Sequence, residues 1–184
     1  MITSGYWTLI ETGGNQAYIF GTNKRRANVG GSELIHRVGN EWTRQAISDV
    51  LGSPAATAAG WQADPVVCAS GKALILTSHP ECGRAIVSKV TERALREAPG
   101  LGVWGVVATE PADPNHIASG PCACAGCQLE GLHEAHATVR QRAGSPLSRF
   151  PTLPFHQPCP FTGAPAVTLD VEVSGEDPRP MSAG

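Results

Sequence analysis

The sequence predicts an α+β fold whose elements run strand, helix, strand, strand, helix, strand. Two observations carry this. Short runs of strand formers alternate with stretches whose apolar residues recur at helical spacing. Glycines and prolines stand between them, where turns and helix ends need them. A third observation sets the extent of the fold. Leu, Ile, Val and Phe number 25 in residues 1–110, about 23%, and 13 in residues 111–184, about 18%. The second share lies below the roughly 20% at which a chain struggles to bury a core.

Tyr6-Trp7-Thr8-Leu9-Ile10 is a run of strand formers, stopped by Gly13-Gly14. Residues Gln16 to Phe20 are apolar and fit either a strand end or a helical turn. From about Ser32 to Val50, the spacing of Leu34, Ile35, Val38, Trp42, Ala46 and Val50 predicts a helix, ended by Gly52 and Pro54. Val66-Val67-Cys68 and Leu74-Ile75-Leu76 flank Ser70-Gly71, the pattern of two strands joined by a tight turn. Ser78, three residues before Glu81, predicts a capping box with Pro80 in the first turn. Val87, Val90, Ala94 and Leu95 continue that helix to Pro99-Gly100. Val103 to Ala108 is the last strand. This order is the ferredoxin-like βαββαβ arrangement, which hosts many functions and settles none.

The prolines divide the chain. Eleven of the 15 fall after residue 110, so residues 1–110 are expected to form the domain and 111–184 a loop-rich Pro/Cys-rich extension. The last ~20 residues are expected to be disordered.

Composition excludes several classes. Charged residues make up 16%, against roughly 25% in an average globular protein. A net charge of −2 argues against a broad basic surface for duplex nucleic acid and leaves a local contact open. No apolar run approaches a membrane span, and the N-terminus shows no secretory signal. The expected compartment is therefore the cytoplasm, where six cysteines serve as thiols or metal ligands rather than disulfides.

Three motifs fail on mechanism. Gly100-Leu101-Gly102-Val103-Trp104-Gly105 matches G-x-G-x-x-G, but it follows a helix and enters a strand, the reverse of what a dinucleotide site needs. Gly71-Lys72 lacks the earlier P-loop glycine, and Ala73 replaces the magnesium-binding hydroxyl. His133-Glu134-Ala135-His136 is one residue too short for a zincin.

The cysteines carry more. Cys122, Cys124 and Cys127 lie within six residues, with His133, His136 and Cys159 downstream. Cys124 and Cys127 have C-x₂-C knuckle spacing, with Cys122 as substitute or spare. Structural zinc on Cys122, Cys124, Cys127 and Cys159, with His133 and His136 as alternatives, stands open beside a set of unliganded thiols.

The first turn also invites a ligand. Glu11 ends a strand, Gly13 and Gly14 allow close backbone approach, and Gln16 follows. Asn23-Lys24-Arg25-Arg26 is basic, and Gly30-Gly31-Ser32 opens the long helix on this pattern. Free amides at a helix start attract phosphate, so nucleotide binding stands open against plain turn chemistry.

Residues 9–35, L-I-E-T-G-G-N-Q-A-Y-I-F-G-T-N-K-R-R-A-N-V-G-G-S-E-L-I, resemble the opening of the palm domain in the large polymerase/cyclase subunit of type III CRISPR effector complexes. That family has a strand ending in an acid, then G-(I/V)-Q-x-F-I-F, a basic stretch and a G-(A/G)-S-x-L helix start. Val66 to Leu76 sits where the family has a hairpin carrying Gly-Gly-Asp-Asp, and residues 158–166 are similar to its C-x-x-(S/T)-G-x-P-A element. The resemblance covers residues 6–110 and, loosely, the remainder.

It implies a palm of the cyclase and polymerase type. In active members, acids of the first strand and the hairpin hold two magnesium ions, and ATP is joined into cyclic oligoadenylate. Glu11 falls on the first acid, but Ser70-Gly71-Lys72-Ala73 stands where Gly-Gly-Asp-Asp belongs. One carboxylate cannot clamp two metals. The resemblance therefore implies a degenerate palm, with magnesium in doubt, that binds ATP without turnover or serves as a structural subunit. Its partners would be other effector subunits or a second palm. A zinc-stabilised interaction module and an active cyclase with non-standard acids are the alternatives. Relatives of this type are far longer, so the chain is expected to be a fragment or a truncated homologue. Glu11 and Lys72 are expected to face each other where the first strand meets the hairpin.

Overall fold

The computed structural model describes residues 2, 4–21, 24–112, 125–144, 155–160, 165–166, 168–170 and 179–181. Four strands, β1 (Tyr6–Gly13), β2 (Ala63–Ala69), β3 (Lys72–Thr77) and β4 (Gly102–Val107), form one sheet in the order β2-β3-β1-β4. Every neighbouring pair is antiparallel. With the helices between β1 and β2 and between β3 and β4, this is the α+β arrangement the patterning predicts.

Both faces of the sheet are covered at its centre, and β1 shows why. Leu9 and Ile10 are successive residues, so they point to opposite faces, yet both are fully buried. Leu74 and Ile75 repeat this on β3. On one face, Ile10, Ala73, Ile75 and Val103 pack against Ile35, Val38, Trp42, Ile47, Ile86 and Val90 of the helical layer. On the other, Leu9, Leu74, Trp7 and Val106 pack against Leu129 and Leu132. These last two belong to α6 (Ala125–Arg142), an 18-residue helix within the stretch read as loop-rich.

The remaining helices are α1 (Asn15–Ile19), α2 (Arg25–Arg37), α3 (Thr43–Leu51), α4 (Pro54–Ala59) and α5 (Pro80–Glu97), with a π turn at Val38–Trp42 joining α2 to α3. The π turn brings helix backbone onto the β2–β3 hairpin. A Cβ on Gly39 would overlap the Ala69 carbonyl oxygen and stand 2.6 Å from the Lys72 nitrogen. Only glycine fits there.

Three local expectations are corrected. The long helix starts at Arg25, so Gly30, Gly31 and Ser32 lie inside α2 and do not open it. Packing rather than capping sets its course: the Tyr18 ring lies 3.6 Å from where a Gly31 Cβ would stand. The capping box at Ser78 does not form, because His79 is the N-cap residue of α5. Ser78 Oγ instead accepts the Gln62 amide at 2.8 Å, tying the start of β2 to the end of β3. Finally, the buried face of α5 is Cys82, Ile86, Val90 and Ala94, leaving Leu95 half exposed.

Of the C-terminal residues expected to be disordered, Thr168–Asp170 and Arg179–Met181 (β5 and β6) pair antiparallel, and most of the others lie outside the described residues. Among the described residues, no helix is long and apolar enough to cross a membrane.

Candidate functional site

The hairpin places Lys72 where the sequence expects it. Antiparallel pairing sets Glu11 directly opposite Lys72, and Leu9 opposite Leu74, on the sheet face that α6 covers. Opposed residues share a face and lie about 5 Å apart at Cβ. The two side chains turn to α6 rather than to each other. Lys72 Nζ donates to His133 Nε2 at 3.4 Å, and His136 Nδ1 lies 3.9 Å from Glu11 Oε2. His133 and His136 are one turn apart on the same face of α6, which makes the double contact geometrically natural.

The two histidines differ in environment. His133 is exposed, whereas His136 is 5% exposed. Burial holds the His136 imidazole below its ordinary value. The Glu11 carboxylate and the backbone of Trp104 and Glu11 pull the other way, and His133 adds to the lowering. The imidazole is thus kept largely neutral, and its Nε2 is buried without a hydrogen-bond partner. Trp104, the β4 residue opposite Glu11, likewise buries Nε1 without a partner.

Gly13 makes room for an indole. It pairs with Gly102 across β1 and β4, and the Trp104 ring lies over the pair. A Gly13 Cβ would stand 2.7 Å from Trp104 Cζ3 and 3.4 Å from Arg140 Cδ. Gly14 is left-handed (φ 72) with open space around it, as N-cap of α1, and Gln16 is exposed on that helix. Ser70 is exposed at the turn, whereas Gly71 (φ 72) is buried against Thr12 and Ile35. Its carbonyl accepts the Thr12 amide at 2.8 Å.

The structure therefore gathers Glu11, Gly13 and Lys72 on the covered face, with Ser70 and Gly71 at the adjoining turn. Gly30 and Ser32 are exposed within α2, and Gly31 is buried against α1. Sequence reasoning missed His133, His136 and Arg140 as neighbours of this face. Their i, i+3, i+7 spacing was the available signal. Of the proposed zinc ligands, Cys122 and Cys124 lie outside the described residues, Cys127 is exposed on the first turn of α6, and Cys159 is buried. Among the described residues, no three potential ligands converge on a metal position.

No protein-family model matches the chain, and no curated protein sequence matches it. Among solved structures, a crystal structure of Csm1 from T. onnurineus shares the fold, with a TM-score of 0.54 at 16% identity. The match covers 88% of this chain and 24% of Csm1, so the chain spans about a quarter of that protein's length.

Proposed function

We infer that the chain is a CRISPR-associated antiviral-defence palm domain, catalytically degenerate, that binds a nucleotide without turning it over. Two lines support the association. The Glu11 and G-G-N-Q-A-Y-I-F stretch resembles the type III large-subunit palm, and the fold is shared with Csm1, a type III CRISPR large subunit. Its partners are then other subunits of an effector complex or a second palm.

One observation carries the degenerate reading: Lys72 sits directly across from Glu11. Two-metal phosphoryl transfer needs several carboxylates at close range to hold both ions. In this reading the position of the hairpin acids holds an ammonium, which supplies locally the positive charge that a metal brings to phosphate.

The test is a calorimetric titration of the full chain with ATP, with and without magnesium. Affinity nearly independent of magnesium is expected. Loss of one charge-assisted contact is worth roughly 1.5–3 kcal/mol, so Lys72→Ala should weaken binding about 10- to 150-fold. Strict magnesium dependence, or an unchanged affinity in the alanine variant, would refute the role given to Lys72.

A further inference from the structure

We propose that α6 completes a polyphosphate site on the Glu11–Lys72 face, with Lys72, His133 and Arg140 as its donors. It rests on the nucleotide reading of the same face and adds a role for a helix in the C-terminal extension.

The placement comes from three contacts. His133 meets Lys72 at 3.4 Å, His136 stands over Glu11 at 3.9 Å, and the Arg140 stem passes beside Gly13. The row follows the end of β1, because Glu11 and Gly13 are consecutive positions on one face of the strand. From His133 to Arg140, α6 rises about 10 Å, a span that suits a di- or triphosphate better than a single phosphate.

Pairing with acids separates these residues from four arginines of the helical layer. Arg37, Arg84, Arg93 and Arg96 on the helical layer each lie within 4 Å of a glutamate. Among the described residues, neither Lys72 nor Arg140 has a carboxylate within that distance. Glu11 is turned to His136. His133 Nε2 lies against Lys72, which leaves Nδ1 as the second polar atom of the exposed ring. Beneath the row, His136 Nε2 and Trp104 Nε1 are buried and unpartnered, as are Trp42 Nε1 and Thr8 Oγ1 elsewhere in the sheet and helical layer.

The experiment titrates the full chain with sodium tripolyphosphate and, separately, with ATP, both in chelator. Both should bind, and orthophosphate should bind far more weakly. Lys72→Ala and Arg140→Ala should each weaken tripolyphosphate about tenfold or more. Arg140→Lys should restore part of the loss, and Lys89→Ala on α5 should change nothing. Circular dichroism confirms that the variants fold. Tripolyphosphate binding indifferent to Arg140→Ala overturns the role of α6, and a Lys72-sensitive ATP affinity would then still stand. Tripolyphosphate binding without ATP binding keeps the anion site and removes the nucleotide reading. No tripolyphosphate binding overturns the site.

Discussion

Gly13 and Gly102 face each other across β1 and β4, and the Trp104 indole occupies the space their missing side chains leave. The sequence pattern identified Gly13 as a point of close approach, which is correct in kind. What approaches is a ring from a neighbouring strand, and no local pattern reveals a cross-strand partner. A Cβ on Gly102 would overlap the ring, so Gly102→Ala should cost about 1–3 kcal/mol, the range for overpacking. Urea unfolding of the variant checks this; an unchanged midpoint would show that the indole moves freely. Gly39→Ala should be worse, because the obstacle is hairpin backbone rather than a movable side chain. Cys82 gives a second prediction at this scale. It is fully buried, and burial pushes its thiol up to about 11. Since the thiolate is the nucleophile, alkylation at pH 8 should spare Cys82 in the folded protein and reach it in denaturant. Mass spectrometry of the labelled peptides reads the difference.

At the scale of elements, the strands and α5 were legible because their periods are clean and their breakers stand in place. The start of α2 was not. Two adjacent glycines and a serine imitate a helix start, while the real first turn, Arg25-Arg26, lacks any capping side chain. Helix α6 was missed for another reason: among its described side chains only Leu132 and His136 are buried, too sparse a stripe to register as amphipathic. The uninterrupted apolar pair Leu9-Ile10 was the overlooked sign that both sheet faces need cover. Leu132→Ala should therefore loosen α6 by about 2–5 kcal/mol, the range for core truncation. Hydrogen exchange should speed in α6 while the sheet stays protected. Acid should act in the same direction through His136. Its docked imidazole is held below the ordinary value near 6.5, so the undocked helix binds protons more readily. Docking is full above that ordinary value and weakens as pH falls through it toward the docked one. Protection of α6 amides, corrected for intrinsic rates, should be lower at pH 5 than at pH 7.5.

For the whole molecule, the antiparallel β2-β3-β1-β4 sheet is what the order of strands and helices predicts. Half of the candidate site was equally legible. The turn at Ser70-Gly71 starts β3 at Lys72, and the β1–β3 register that buries Ile10 and Ala73 on one face sets Lys72 against Glu11. The other half comes from a helix that begins well beyond the last strand of the sheet, a long-range contact that local patterning does not encode. The central claim is that this face binds a nucleotide and does no phosphoryl transfer. The most direct test incubates the purified chain with labelled ATP and magnesium, followed by chromatography. The account predicts no linear or cyclic oligoadenylate. A labelled product that disappears in Glu11→Ala would contradict it.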